Sequence, residues 1–113
     1  MQLREIIDRL ELTLLSSGGD VGTEVTGGYC GDLLSHVLAN AKPGTLWITI
    51  QQHANVFAVA HITMLAGVLL ADGVRPNGAV LEKACADGIV VLSSQDSAFT
   101  LAGRLYRFLV DST

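Results

Sequence analysis

The sequence predicts an α/β domain, a mostly parallel β-sheet with helices on its faces. Three observations carry that expectation. Strand-length runs alternate with helix-length segments along the chain. The later runs, LWITI (46–50), VLLA (68–71) and IVVL (89–92), are unbroken apolar stretches, the pattern of strands buried on both faces. No Asp, Glu, Lys or Arg occurs from Pro43 to Ala71, although Lys42 and Asp72 flank that stretch. A strand, turn, helix and strand this apolar should form the middle of the core.

Each element has its own local signal. In residues 2–10, Leu3, Ile6, Ile7 and Leu10 recur at helical spacing with charges on the other face. A short strand, ELTLL (11–15), follows, and Ser16-Ser17-Gly18-Gly19-Asp20 ends it. In VGTEVTGGYC (21–30), Val25 and Tyr29 suit a strand, while Gly27-Gly28 suggests a bulge or a backbone that something approaches closely. Asp32 is placed to cap a helix over 33–41, with Leu33, Leu34, Val37 and Leu38 inward. After LWITI comes the polar turn QQHAN (51–55), then a helix over 56–67 with Asn55 as its expected cap. Pro76 opens a helix to Asp87, with Val80, Leu81 and Ala84 inward and Gly88 as its stop. The last helix runs to about Val110, with Phe99, Ala102, Leu105, Tyr106 and Leu109 inward and Arg104 and Arg107 outward. His36 is expected at the surface and His61 in the core or an interface.

Composition narrows the function classes. At 113 residues a single domain spanning 1–113 is expected. Half of the residues are hydrophobic and 16% are charged, so a folded core is expected rather than disorder. The net charge of −4, seven scattered Lys and Arg residues and few aromatics argue against a nucleic-acid surface. The uncharged middle is broken by Pro43, Gly44, Gln51, Gln52, His53 and Asn55, so no membrane span is expected. Charges within MQLREIIDRL exclude a secretory signal, and Cys30 and Cys85 stand far apart, so a reducing, cytoplasmic setting is expected. Neither a metal site nor a cofactor is expected, because no CxxC or Cys/His cluster and no GxxxxGK[ST] loop occurs among the twelve glycines.

Chemistry is expected where strands end. Thr49 with Gln51, Gln52 and His53, then Asp72-Gly73, then Ser93-Ser94-Gln95-Asp96 all follow strands. In a parallel sheet those ends share one edge, where ligands of open α/β sheets bind. His53 can bond an anion or move a proton near neutral pH, and can equally cap a helix. A second signal is the helix after His53, apolar nearly all round from Val56 to Ala66. A helix without a polar stripe should be covered on both sides. A symmetric homodimer burying Val56, Phe57, Val59, Ala60, His61 and Met64 is therefore expected.

Thr23 to Ala60, TEVTGGYCGDLLSHVLANAKPGTLWITIQQHANVFAVA, resembles a DRTGG domain, and the likeness continues through LEKACADGIVVLSS and SAFTLAGRLY. It rests on Val25, Thr26-Gly27-Gly28, Asp32-Leu33-Leu34-Ser35, Leu46-Trp47-Ile48-Thr49 and His53. Gly22-Thr23 stands where the family name has Asp-Arg, so nothing that depends on those two side chains carries over. The resemblance implies a fold like the N-terminal domains of MurF and HPr kinase, often dimeric, with no established catalytic residues. It also implies a regulatory or interaction module, of the kind that accompanies CBS domains in some pyrophosphatases and occurs in phosphate acetyltransferases. Stand-alone members tend to be encoded near iron-hydrogenase components, which implies a protein partner in redox or energy metabolism. The resemblance adds Thr26, Gly27 and Gly28 to the candidate ligand residues Thr49, Gln51, Gln52, His53, Asp72, Ser93 and Ser94.

Residues and resemblance together lead to a non-enzymatic regulatory or protein-interaction module that dimerises and binds a small anionic ligand such as a nucleotide. The alternative is a phosphoryl or acyl transfer enzyme using His53 with Ser93, Ser94 or Asp96.

Overall fold

A computed structural model describes residues 1–111. Its elements are α1 (Leu3–Arg9), β1 (Thr13–Leu14), β2 (Gly27–Cys30), α2 (Leu34–Asn40), β3 (Thr45–Thr49), α3 (Ala54–Ile62), β4 (Gly67–Leu70), α4 (Gly78–Ala86), β5 (Val91–Ser93) and α5 (Ala98–Asp111). The five strands form one sheet in the order β1-β5-β4-β3-β2. Strands β2, β3, β4 and β5 are parallel neighbours, and β1 closes one edge antiparallel to β5.

Strand alternation divides the core into two layers. Leu46, Ile48, Leu69, Ala71 and Leu92 face α1 and α5, where they meet Leu3, Ile6, Leu101 and Leu105. Trp47, Val68, Leu70 and Val91 face the other way, against Val37, Val56, Phe57, Ala60 and Ala84 of α2, α3 and α4. All of β3 and β4 is buried, which explains their lack of charge.

The N-terminal third departs from the sequence reading for a backbone reason. Residues 21–25 do not extend β2. They pair instead with the chain start, through Leu3 N to Thr23 O (2.9 Å), Arg4 N to Val21 O (2.7 Å) and Val25 N to Met1 O (3.0 Å). Strand β2 therefore begins at Gly27, and its four residues match Thr45 to Ile48 one for one, so there is no bulge. The close approach is real. A Cβ on Gly28 would stand 2.9 Å from Leu105 Cδ2, so α5 packs directly on this backbone.

Three helix readings need correction. Asp32 does not cap α2; the capping position is Leu33, without a side-chain bond, and Asp32 is engaged by β3 instead. Leu33 and Leu38 are exposed, and Val37 is the buried residue of that helix. Asn55 lies inside α3, whose capping residue is His53. In α5, Phe99 and Tyr106 are 89% and 71% exposed. Leu101 and Leu105 set its inner face, with Ala98, Ala102, Phe108 and Leu109 packed beside them.

The apolar helix α3 also has a different explanation from a second subunit. It lies between α2 and α4 and touches both as well as the sheet. Val56, Phe57 and Ala60 are already buried in the chain's own core, so they have no surface to give an interface. Val59 is partly buried against the same cluster, while His61 and Met64 are exposed.

Candidate functional site

The carboxyl ends of β3, β4 and β5 lie along one edge of the sheet, and two distinct constructions stand there. The first surrounds the end of β3. The Thr49 hydroxyl donates to Asp32 Oδ1 at 2.6 Å, and the Ile50 N–H donates to the same oxygen at 3.1 Å. Gln51 returns two bonds, its N–H to Thr49 Oγ1 (3.1 Å) and its side-chain amide to the Asp32 carbonyl (3.4 Å). Below them the Trp47 indole, fully buried, donates to the Gly31 carbonyl at 2.8 Å. The β2–α2 loop thus fixes the turn after β3. Gln52 and His53 continue this turn at the surface.

The second construction joins the turns after β4 and β5. Asp72 N donates to Asp96 O (2.9 Å) and Gly73 N to Ser94 O (2.8 Å). The Ser94 hydroxyl accepts from Asp96 N at 3.0 Å. Gly73 has φ of +71°, and a Cβ there would meet the Gln95 side chain at 2.7–3.0 Å, so only glycine fits without strain. Beside these turns is a polar cleft of about 210 Å³, lined by Leu10, Glu11, Thr13, Arg75, Ser93, Ser94, Gln95, Asp96 and Arg104. Arg104, on α5, donates to the Arg9 carbonyl at 3.0 Å and pairs with Asp96 Oδ2 at 3.5 Å. It thereby ties α5 to the end of α1 and to the turn after β5.

The structure brings Thr49, Gln51, Gln52, His53, Asp72, Ser93 and Ser94 to the same edge of the sheet. Ser93 and Ser94 line the cleft. Thr26 and Gly27 lie at the opposite edge, where Thr26 N bonds Gly44 O (2.9 Å) and its hydroxyl bonds Pro43 O (3.0 Å). Gly28 is in the middle of β2 under α5. The Thr26-Gly27-Gly28 element thus packs the strand and helix rather than joining the strand-end turns.

No hydrogen bond or ion pair among the described residues links His53 to Ser93, Ser94 or Asp96. Ser93 is only 4% exposed. Among the described residues no group of three or more His, Cys, Asp or Glu side chains stands close enough to hold a metal ion. Both cysteines are free thiols. Burial, and secondarily the Asp32 charge, pushes the Cys30 thiol above its ordinary value. A raised thiol carries less of the nucleophilic thiolate. Next to it, the Tyr29 hydroxyl and His36 Nδ1 form a hydrogen bond, which holds the exposed His36 to the edge strand. A second cleft of about 190 Å³, mostly apolar, lies between β2 and α5, lined by Gly28, Tyr29, Cys30, Ala102, Leu105, Tyr106 and others.

Sequence reasoning missed Arg75 and Arg104, the two cations of the polar cleft. The helical period places Arg104 on the outward face of α5, where it is exposed, and does not show that it reaches the turn after β5. Helical spacing gives no signal for this pairing, because Asp96 lies in the turn before α5.

No protein-family model matches the chain, and no characterised protein matches it by sequence. Its fold is similar to that of the CBS and DRTGG domains of the regulatory region of Clostridium perfringens pyrophosphatase, a crystal structure in complex with the activator diadenosine tetraphosphate. The TM-score is 0.73 at 18% identity, over 92% of this chain and 45% of that one. The fold is therefore DRTGG-like, a mostly parallel five-stranded sheet with helices on both faces. The neighbour is a regulatory region, and this chain spans under half of it. No helix among the described residues is long and apolar enough to cross a membrane.

Proposed function

We propose that the chain is a non-enzymatic regulatory module of the cytoplasm that binds a small anionic ligand such as a nucleotide at the carboxyl edge of its sheet. One observation carries this reading. Two strand-end turns, 72–73 and 94–96, are bonded to each other beside a polar cleft lined by two arginines, Arg75 and Arg104. That edge is the usual ligand position in open α/β sheets. The neighbour of similar fold is described as a regulatory region bound to a dinucleotide activator, which favours the same class of ligand. The transfer-enzyme alternative lacks support, because among the described residues His53 is hydrogen-bonded to no serine that it could activate.

The module is also proposed to associate, with a second copy or with a protein partner in redox or energy metabolism. Exposed apolar residues supply the surface, namely Phe99, Tyr106 and Val110 on α5 and Ile62 and Met64 around the end of α3.

A thermal-shift series against nucleotides and sugar phosphates tests the ligand reading. A ligand at tenfold excess over its Kd should stabilise the fold by about 1.4 kcal/mol, a rise in Tm of roughly 5 °C for a chain of this size. Stabilisation without turnover supports a regulatory module. Turnover abolished by His53→Ala would restore the enzyme reading, and no shift with any nucleotide would remove the ligand.

A further inference from the structure

We infer that the cleft between α1, the turn after β5 and α5 is a subsite for a phosphate chain of two or more phosphoryl groups, held by Arg75 and Arg104. The inference rests on the ligand reading above and specifies which part of the ligand is gripped, and by what. Three observations converge on it. The cleft is lined by two arginines, whose guanidinium groups each carry five donors in a fork that matches phosphate oxygens. Arg75 makes no side-chain hydrogen bond or ion pair among the described residues, so its donors are uncommitted. Arg104 is committed only to a backbone carbonyl and to the Asp96 carboxylate at 3.5 Å, both partners half-exposed. An exposed pair of this kind contributes little to stability, so an incoming anion can exchange with the carboxylate.

Asp96 then has a definite role, since it occupies the anion's place on Arg104 and yields it on binding. Glu11 lines the same cleft without an ion pair among the described residues, and its charge opposes any anion that enters. Size sets the class of ligand. Pockets that enclose a whole small molecule run from about 300 to 1,000 Å³, so about 210 Å³ takes the charged end and leaves a nucleoside outside. Recognition therefore belongs to the phosphates rather than to the base.

The test measures binding of inorganic diphosphate, ADP and adenosine to the full chain by calorimetry at low salt. Diphosphate and ADP should bind with similar affinity, and adenosine should not bind. Arg75→Gln should weaken both by about tenfold or more, the value of a lost charge-assisted contact. This residue's side chain has no hydrogen-bond or ion-pair partner among the described residues, so the variant should fold as the parent does, a point checked by its unchanged Tm. Arg104→Gln should weaken binding similarly. Asp96→Asn and Glu11→Gln should tighten it, a sign that a merely structural role cannot produce. Equal binding of ADP and adenosine, or wild-type affinity in Arg75→Gln, overturns the phosphate subsite and leaves the regulatory reading standing. A wild-type chain that binds none of the nucleotides overturns both.

Discussion

The two halves of the carboxyl edge are built from similar material and offer different chemistry. Around the end of β3, the polar side chains nearest the strand bond to one another and to the turn. Asp32 accepts from Thr49 and Ile50, Gln51 bonds back, and Trp47 anchors the loop beneath. Across the edge, the turns after β4 and β5 are tied mainly through backbone, which leaves side chains of Arg75 and Gln95 at the cleft. A satisfied network positions and stiffens, whereas uncommitted donors are what a ligand needs. On the proposed reading, the half containing His53 is the structural half and the half with the arginines is the receptive one.

That contrast can be broken by substitution. The largest effect is expected for Trp47→Ala, which empties a fully buried site and frees the Gly31 carbonyl. It should cost about 3–5 kcal/mol of unfolding free energy in denaturant titration. Asp32→Ala should follow at about 1–3 kcal/mol, because the buried Thr49 hydroxyl loses its acceptor. Neither should act through the arginine cleft, so a variant that still folds should keep its nucleotide affinity. Gly73→Ala forces an alanine to a φ of +71° and displaces Gln95. A cost of about 1–2 kcal/mol is expected, here with weaker ligand binding, since the disturbed turn borders the cleft. If Asp32→Ala weakened binding more than Gly73→Ala, the division of the edge would be wrong.

The smallest effects concern His53 and Cys30. His53 is an exposed capping residue without a side-chain bond, so His53→Ala should change stability by less than about 0.5 kcal/mol. Ligand affinity should not move. Cys30 has its thiol raised by burial and by Asp32, so at pH 8 it should alkylate more slowly than a small free thiol. Its rate should rise in Asp32→Asn, where the neighbouring charge is gone. An alkylation rate equal to that of the free thiol would contradict that environment.

Helices α3 and α5 show why some of this was readable and some was not. The apolar runs 46–50, 68–71 and 89–92 identify the central strands because a strand covered on both faces has no place for charge. Likewise α3 is visibly buried. What covers it is not visible, since α2 and α4 supply the cover through contacts remote in sequence. In α5 the helical period is clear, but its phase is set by Leu105 against Gly28, and Phe99 and Tyr106 are left outside. A one-residue rotation of the apolar stripe cannot be read from a helix that carries apolar residues on either side of it.

The sequence by itself determined the fold class, the buried strands and the edge at which polar turns gather, because burial and chain punctuation are local properties of composition and spacing. Only the tertiary structure decided which polar groups at that edge were spent on one another. Asp32 was free to cap its own helix and instead took Thr49 and Ile50, and Arg104, eight residues past Asp96, reached back from α5 to the turn before that helix. Hydrogen bonds and ion pairs are chosen among neighbours in space, and those neighbours exist only once the sheet has assembled.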